Sequence, residues 1–152
     1  MLIYKKGDLL KAKENLLCHQ VNEDGVMGGG LALQIAKTYP IVEQEYKEFC
    51  KENKDTLYGQ YHAVKIADKK YIINCFTQRD FVTNLKDIEQ VFRGLLHTCK
   101  LNNFAIAIPF KYGCGIATGN WDEVSQILED LSNEYVVDIS VYRLEELKIW
   151  TK

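Results

Sequence analysis

Two glycine-rich segments, each placed between an apolar run and a helix-forming run, constrain the fold of this chain most. The first is DGVMGGGLALQ at residues 24–34, which holds four glycines within six positions. The second is KYGCGIATGNW at residues 111–121, which directly follows the apolar run FAIAIPF at 104–110. Because glycine loses more backbone freedom on folding than other residues, such clusters indicate tight turns or a main chain that closely approaches another group.

Strand-like and helix-like patterns alternate around these segments. Strands are predicted at residues 1–5, 15–21, 59–66, 70–76, 104–110 and 136–144. The segment 104–110 is apolar throughout, as is typical of a strand that is buried on both faces. Helices are predicted from Gly30 to Tyr39, from Pro40 onward, over the apolar repeat Ile88 to Cys99, and after Asn120. This alternation predicts a three-layer α/β/α fold, with a mostly parallel mixed sheet and helices on both faces.

Length and composition fit one domain over residues 1–152. Hydrophobic residues make up 47% and charged residues 26%, which are ordinary globular values. No apolar run approaches the roughly 20 residues that span a bilayer, and the N-terminus shows no signal-peptide pattern. A net charge of −2 argues against general nucleic-acid binding.

Five cysteines are scattered along the chain without CxxC spacing. This pattern argues against a disulfide framework or a cysteine metal site, and it favours a reducing compartment. We therefore expect a cytoplasmic protein without a bound metal.

The two glycine segments are expected at the carboxyl ends of strands, where open α/β sheets bind ligands. The first also opens a helix, where backbone N–H groups favour an anion. Two loops in this position could hold a diphosphate from opposite sides, although glycines that serve only tight turns are the alternative. Neither segment fits GxGxxG or GxxxxGK[ST], so motifs for a dinucleotide-binding Rossmann fold or a P-loop are missing.

A series of motifs resembles the macrodomain family along almost the whole chain. The motifs are GDLL (7–10), HQVNEDGVMGGGLALQ (19–34), INCFTQ (73–78), IAIPFKYGCGIATGNW (106–121) and ISVYRL (139–144). The most similar branches are compact macrodomains, among them ADP-ribose-1″-phosphatases, terminal ADP-ribose glycohydrolases and phage or bacterial relatives. The resemblance implies that the ligand is ADP-ribose or an ADP-ribosylated substrate, and that no cofactor is needed.

The resemblance also implies roles for individual residues. Asp8, with Leu9 beside it, matches the aspartate that accepts a hydrogen bond from the adenine amino group, although a turn residue is the alternative. Asn22 matches the asparagine that binds the distal ribose. The residues implied to line the two sides of the diphosphate are Gly28, Gly29 and Gly30 on one side, and Gly113, Cys114, Gly115, Ile116, Ala117 and Thr118 on the other. Tyr142 either stacks on adenine or packs in the core.

Two positions differ from the glycohydrolases that cleave ADP-ribose from glutamate or DNA bases. Those enzymes resemble this chain but carry a lysine in place of Gln78, and many carry an aspartate in place of Ala117. A lysine amine can attack C1″ and form a covalent adduct, whereas a glutamine amide cannot. That route is therefore not expected here. His19, which matches a histidine of the phosphatase-like branch, is the candidate general acid or base, with a structural histidine as the alternative.

Other reactive side chains near the loops carry weaker hypotheses. The carboxylates of Glu23, Asp24 and Asp80 either orient water or are solvated loop charges. Cys114 lies between glycines near a helix start, but its position in relatives favours a loop residue over a nucleophile.

Three functional hypotheses follow. The first is a monomeric hydrolase that removes a phosphate, an acyl ester or a protein carboxylate from C1″ of ADP-ribose, with water as the nucleophile. The second is a non-catalytic reader of ADP-ribose, which Gln78 and Ala117 favour. A third, nucleotide-dependent redox or transferase chemistry, has no supporting motif.

Overall fold

The computed structural model describes residues 1–115 and 117–144. Within this part of the chain the strands are β1 (Leu2–Lys6), β2 (Leu16–Gln20), β3 (Tyr61–Ala67), β4 (Lys70–Cys75), β5 (Gln78–Arg79), β6 (Val82–Thr83), β7 (Ile106–Pro109) and β8 (Ile139–Arg143). The helices are α1 (Gly30–Thr38), α2 (Pro40–Glu52), α3 (Leu85–Asn102) and α4 (Trp121–Tyr135), and a short 3-10 helix spans Leu9–Lys11. None of these helices is long and apolar enough to cross a membrane.

The main sheet has six strands in the order β1-β8-β7-β2-β4-β3. Neighbouring strands are parallel except for β3, which pairs antiparallel with β4 at the sheet edge. Leu16 of β2 lies between Tyr71 of β4 and Ile106 of β7, so β2 and β7 are central strands that end at the same edge. The first glycine loop follows β2 and the second follows β7, so both loops start from this edge.

Helices cover both faces of the sheet and enclose two hydrophobic clusters. On one face α3 and α4 bury Phe92, Leu95 and Leu128 against the sheet. On the other face α1 and α2 bury Ile35 and Tyr46. Burying an aliphatic or aromatic side chain fully stabilises the fold by about 1.5–3 kcal/mol, so both layers are held by apolar contacts. The predicted three-layer fold is confirmed.

The helix starts differ in a way that bears on the site. Asn84 and Asn120 cap α3 and α4, because each side chain accepts a hydrogen bond from a backbone N–H in the first turn, at 2.9 and 3.2 Å. Helix α1 instead begins after Gly29, which has no side-chain acceptor. The first N–H groups of α1 therefore lack the side-chain cap that stabilises α3 and α4.

The hairpin of β5 and β6 is absent from the sequence-based prediction. It joins Gln78–Arg79 to Val82–Thr83 through a two-residue turn at Asp80 and Phe81. Strands this short carry no readable alternation of polar and apolar residues, so the sequence pattern does not show them. The other predicted strands and helices are present, with ends that differ by a few residues.

Candidate functional site

A cleft of two adjoining cavities runs along the sheet edge where β2 and β7 end. The first cavity, of about 320 Å³, is lined by both glycine loops and by the end of β2. The second, of about 410 Å³, is lined by the segment after β1 and by the end of β8. The two cavities share Gly30, Leu31 and Pro109 in their walls, so together they form one elongated cleft.

The glycines of the first cavity are not all required by the fold. Gly30 and Gly113 have φ angles of +57° and +74°, which favour glycine. Gly28 and Gly115 lie outside the positive φ region. A Cβ on Gly28 would contact only a methyl group of Val26 at 3.4 Å, and one on Gly115 would meet no described atom within 4 Å. Neither position therefore needs glycine for its backbone conformation, yet neither carries a side chain that would extend into the cleft.

The uncapped start of α1 faces the same cavity. Gly29 and Gly30, together with Leu31 and Ala32 of the first turn, line its wall. The N–H groups of a helix start carry a partial positive charge, which is greatest where no side chain neutralises it. The first loop therefore offers the cleft an anion-binding helix terminus.

The second loop is fixed by hydrogen bonds to the β5–β6 hairpin. Gly119 N–H donates to the carbonyl of Gly113 at 3.0 Å, and the Thr83 hydroxyl donates to the same carbonyl. Thr118 N–H donates to the carbonyl of Phe81 at 3.1 Å. These bonds hold Gly113, Gly115 and Ala117 in the cleft wall; Ile116 lies outside the described residues.

Cys114 faces away from the cleft although it belongs to this loop. Its thiol is half-buried and donates to the carbonyl of Tyr112, and its N–H donates to the carbonyl of Lys111. Burial raises the pKa of the Cys114 thiol. A protonated thiol in this position is a poor nucleophile. Cys114 is also not among the described residues that line either cavity, so its implied place beside the diphosphate stays a prediction.

The floor of the first cavity is a directed network of hydrogen bonds. Tyr112 donates to Thr77, because the Thr77 hydroxyl hydrogen is used in a 2.7 Å bond to Oε1 of Gln20. The amide nitrogen of Gln20 then donates to Oε1 of Gln78 at 3.1 Å and to the Thr83 hydroxyl at 3.2 Å. With its carbonyl oxygen engaged, Gln78 presents its amide donors to the cleft.

His19 is a buried neutral imidazole in the wall of the first cavity. Its Nε2 lies 2.7 Å from Oδ1 of Asn74, which can only accept, so Nε2 carries the hydrogen. Burial lowers the pKa of His19, and the bond to Asn74 offsets only part of this, so the pKa is about 4. Asn74 in turn bonds to Nδ1 of His62 at 3.2 Å. This environment fits a histidine held neutral near pH 7.

Asn22 organises the first loop with most of its polar atoms. Its Oδ1 accepts hydrogen bonds from the N–H groups of Asp24 and Val26 and from the hydroxyl of Tyr46, and its Nδ2 donates to the carbonyl of Val26. Asn22 also lines the cavity, so one Nδ2 hydrogen remains for a ligand.

The carboxylates of the first loop and the hairpin have different surroundings. Oε2 of Glu23 accepts hydrogen bonds from the Tyr58 hydroxyl at 2.9 Å and from Asp80 N–H at 3.0 Å. Burial raises the pKa of Glu23, but these hydrogen bonds outweigh burial and the pKa is lowered. Glu23 therefore fastens the hairpin to the first loop, whereas the Asp24 side chain is exposed.

The second cavity holds the residues matched to adenine recognition. Oδ1 of Asp8 accepts a hydrogen bond from Leu10 N–H at 2.9 Å, so Asp8 also starts the 3-10 helix. Leu9 is buried but reaches the cavity wall. The Tyr142 ring lines the cavity, and its hydroxyl donates to Glu14 at 2.8 Å. One carboxylate oxygen of Asp8 serves the turn, which leaves the other for a ligand.

Glu14 is a buried carboxylate that the sequence gives no reason to single out. It forms a 2.9 Å ion pair with Lys5 and accepts the hydrogen bond from the Tyr142 hydroxyl. Burial raises the pKa of Glu14, but hydrogen bonds from Lys5, Ser140 and Tyr142 outweigh it and lower the pKa to about 2. Glu14 thus holds the ring of Tyr142 in place from behind.

Comparison with known proteins agrees with this geometry. The family model described as Macro domain matches residues 18–128. A DNA ADP-ribosyl glycohydrolase from Mycobacterium tuberculosis is 33% identical over 135 residues, which cover 84% of this chain and 38% of that protein. This chain therefore spans less than half the length of that relative.

One further relative and one solved macrodomain are each covered almost completely by the match. An ADP-ribose 1″-phosphate phosphatase from Lodderomyces elongisporus is 27% identical, with 89% of this chain and 98% of that protein covered. The solved macrodomain of Mycobacterium tuberculosis DarG superposes with a TM-score of 0.81 at 32% identity, covering 93% of this chain and 97% of that one.

Proposed function

This chain belongs to the macrodomain family, and on that premise we propose that it binds ADP-ribose and hydrolyses a group attached at C1″ of the distal ribose. The activities of two relatives support the proposal, since one is a DNA ADP-ribosyl glycohydrolase and the other an ADP-ribose 1″-phosphate phosphatase. Both names describe removal of a group from ADP-ribose. The shared chemistry, rather than either substrate, is what we transfer to this chain.

The observation that carries the proposal is the pair Gly28 and Gly115. These glycines line the same cavity from the two loops, and neither has a φ angle that requires glycine. Open space at both positions is explained if a ligand lies against bare main chain. The uncapped start of α1 in the same wall supplies N–H groups for a diphosphate.

The two cavities give the ligand a direction. Asp8 and Tyr142 line only the second cavity, which we assign to adenine. Asn22 and Gln78 line only the first, which we assign to the diphosphate and distal ribose. The shared wall at Gly30, Leu31 and Pro109 lies between the two assigned ends.

Catalysis in this arrangement uses positioning and polar stabilisation rather than a covalent adduct. The Gln78 amide cannot form the covalent adduct that a lysine forms, so water is the nucleophile. The two glycine loops hold the ribose, and the amide donors of Gln78 stabilise negative charge on the departing group. His19, whose Nε2–H is committed to Asn74, has Nδ1 as its only site for proton transfer.

A non-catalytic reader of ADP-ribose is the second candidate function, and the residues at positions 78 and 117 favour it. Gln78 and Ala117 supply no side chain that titrates near neutral pH. A reader would bind ADP-ribose tightly and release no product from ADP-ribose 1″-phosphate, O-acetyl-ADP-ribose or ADP-ribosylated protein. A product assay with these three substrates, with His19→Ala alongside, separates the two candidates.

Calorimetry with ADP-ribose tests the binding step. Gly28→Leu and Gly115→Leu place a side chain in the cleft and should weaken ADP-ribose binding at least tenfold while the fold stays intact. The matched control is Ala63→Leu, at an exposed position of edge strand β3. Equal affinities for ADP-ribose in all four proteins would contradict the loop assignment, and tighter binding of NAD than of ADP-ribose would contradict the ligand.

The state of the cysteines bears on the compartment in which this activity takes place. The five cysteines are free in the structure, four of them buried, as suits a reducing compartment. We infer that the protein acts in the cytoplasm as a monomer, without a cofactor or general nucleic-acid binding. Sedimentation at micromolar concentration tests the monomer, and a dimer would contradict it.

A further inference from the structure

His62 is a half-buried histidine that is not among the described residues lining the cleft, yet it is linked to the cleft through the sheet. Asn74 of β4 pairs in register with His19 of β2 on one side and with His62 of β3 on the other. Asn74 is fully buried between them. The three side chains therefore form a polar row across three neighbouring strands.

The hydrogen bonds of this polar row all run in one direction. Nε2–H of His19 donates to Oδ1 of Asn74 at 2.7 Å, and Nδ2 of Asn74 donates to Nδ1 of His62 at 3.2 Å. An amide oxygen only accepts and an amide nitrogen only donates, so the orientation of Asn74 fixes the tautomer of both imidazole rings. In this arrangement both neutral rings carry their hydrogen on Nε2.

The second ring nitrogen of His19 is available to the first cavity. His19 lines that cavity, and among the described residues its Nδ1 has no hydrogen-bond partner and is not a fully buried atom. With the hydrogen on Nε2, Nδ1 offers the cavity a lone pair that can accept a proton or a hydrogen bond. The polar row therefore determines what His19 presents to a ligand.

The elements packed against His62 leave it able to titrate. Helix α2 places the Phe49 ring on the imidazole, with 4.5 Å between the ring centres, and Glu45 of α2 is the charged group that acts on it. Strand β4 contributes the neutral Asn74. Burial lowers the pKa of His62 below its ordinary 6.5, although Glu45 favours the charged form. His62 is therefore neutral near pH 7 and takes up a proton in acidic solution.

Protonation of His62 conflicts with the present direction of the polar row. A protonated ring carries a hydrogen on Nδ1, which then cannot accept from the amide nitrogen of Asn74. A half-turn of the Asn74 amide removes the conflict without repacking, because the amide oxygen and nitrogen are nearly equal in size. Oδ1 then accepts from His62, and Nδ2 donates to Nε2 of His19. Nε2 must give up its hydrogen, so the neutral His19 ring carries a hydrogen on Nδ1 instead.

We propose that His62 is a positioning residue, which through Asn74 keeps Nδ1 of His19 an acceptor toward the ligand and on protonation turns it into a donor. This inference rests on the proposed function. In the proposed hydrolysis the attacking water gives a proton to Nδ1 while its oxygen bonds to the carbon that carries the departing group. The electron pair of the broken bond leaves with that group, to which His19 then returns the proton. Protonation of His62 alone therefore stops His19 from acting as a base.

Nitrogen-15 NMR of the free protein tests the polar row directly, because the shifts of the ring nitrogens report which one carries the hydrogen. In the wild type His19 should carry it on Nε2 near pH 7, and acidification through the titration of His62 should move it to Nδ1. His62→Gln keeps a polar side chain in the row but cannot titrate, so the tautomer of His19 should stay constant over the same pH range. His97→Gln, at an exposed position of α3, is the matched control and should behave as the wild type.

Asn74→Asp provides a second test because it keeps the shape of the Asn74 side chain. A carboxylate only accepts, so both rings must donate to it, and His19 should keep its hydrogen on Nε2 while His62 takes up a proton. This variant separates rotation of the amide from a direct effect of the charge on His62. A change of the His19 tautomer in Asn74→Asp would contradict the proposed rotation.

Kinetics and binding give a readout that a purely structural role would not move. In the wild type, kcat for O-acetyl-ADP-ribose should fall about tenfold per pH unit below the pKa of His62, whereas kcat of His62→Gln should be constant over that range. The Kd for ADP-ribose near pH 7 should be the same in both proteins, because His62 is not among the described residues that line the cleft.

The outcomes separate the two proposals. A His19 ring that keeps its tautomer while His62 titrates, or a change of tautomer that persists in His62→Gln, overturns the role of His62 whether or not ADP-ribose binds. Failure of the wild type to bind ADP-ribose overturns the proposed function instead, while the NMR result still decides whether the polar row sets the tautomer of His19.

Discussion

The side-chain amide of Gln20 donates a 3.1 Å hydrogen bond to the side-chain carbonyl of Gln78 and thereby sets which end of Gln78 faces the cleft. The orientation of Gln20 is itself fixed from behind by Thr77, whose hydroxyl donates to the Gln20 carbonyl at 2.7 Å. Gln20, on the central strand β2, therefore determines whether Gln78 presents hydrogen-bond donors or an acceptor to the first cavity. Gln20 also lines this cavity, and we expect it to position Gln78 for the proposed ligand.

Substituting Gln20 should reduce ligand binding without removing any direct ligand contact of Gln78. Gln20→Leu removes the donor to Oε1 of Gln78 and the acceptor of the Thr77 hydroxyl, which keeps only its bond from Tyr112. We therefore expect unfolding to be easier by about 1–3 kcal/mol and ADP-ribose binding to weaken. Chemical denaturation and calorimetry measure the two effects. Gln126→Leu, an exposed position on α4, serves as the control and should change stability by less than about 0.5 kcal/mol.

A readout in the pH profile distinguishes positioning from packing. Gln20→Glu keeps the shape of the side chain but places a carboxylate against Oε1 of Gln78. ADP-ribose binding by this variant should recover as the new carboxylate is protonated at low pH, whereas the wild type should show no such recovery. Identical pH profiles for the two proteins would contradict the positioning role.

Gly119→Ala should disrupt the second loop more than Gly115→Ala. A Cβ on Gly119 would lie 2.2 Å from the carbonyl oxygen of Gly113, a backbone atom that cannot move without breaking the loop, whereas a Cβ on Gly115 meets no described atom within 4 Å. We expect Gly119→Ala to lower the free energy of unfolding by about 1–3 kcal/mol, as overpacking does, and Gly115→Ala to leave it nearly unchanged. Equal thermal midpoints for the two variants would contradict this account.

The neutral state of His19 should make stability depend on pH between about 4 and 6.5. The pKa of His19 is about 4 in the folded chain, below the 6.5 of an exposed histidine, so the unfolded chain binds the extra proton in this window. The free energy of unfolding should therefore rise with pH across it, by up to about 1.4 kcal/mol per unit from this group. Burial lowers the pKa of His62 as well, which adds in the same direction.

His19→Gln tests this assignment because its amide can still donate to Asn74. The variant should show a shallower rise of stability between pH 4 and 6.5 in denaturation experiments. His97→Gln, at an exposed position on α3, is the control and should keep the wild-type slope. A wild-type slope in His19→Gln would show that another group is responsible.

The helices and the loop positions could be predicted because their signals are local. Asn120 precedes the last predicted helix, and its side chain accepts a hydrogen bond from the N–H three residues later, as such a residue at a helix start does. The glycine loops were predicted on one edge because parallel strands end together. These features depend on neighbours in the sequence or on the general geometry of α/β sheets.

The features that the sequence pattern does not show depend on partners far along the chain. The hairpin turn at Asp80 is fixed by Glu23, 57 residues earlier, and Gln20 acts on Gln78, 58 residues later. No periodicity or spacing links such pairs. Cys114 shows the same limit within a loop, since its sequence position does not say that its thiol bonds to the carbonyl of Tyr112.

Tyr142→Phe should distinguish what the hydroxyl of Tyr142 contributes to stability from what its ring contributes to ligand binding in the second cavity. The change keeps the ring but removes the hydroxyl that donates to Glu14 at 2.8 Å, so we expect unfolding at pH 7 to be easier by about 1–3 kcal/mol. If the ring stacks on adenine, ADP-ribose affinity should change by less than about threefold in Tyr142→Phe and fall about tenfold in Tyr142→Ala.

The same substitution should alter acid unfolding in a defined direction. The folded pKa of Glu14 is about 2, below its ordinary 4.5, so Glu14 contributes its full stabilisation above pH 4.5 and loses it as pH falls toward 2. Without the Tyr142 hydroxyl the folded pKa should rise, so the loss of stability between pH 4.5 and 2 should be smaller in Tyr142→Phe than in the wild type. Acid titrations of both proteins, followed by circular dichroism, measure this difference, and parallel curves would mean that Tyr142 does not hold Glu14 in its charged form.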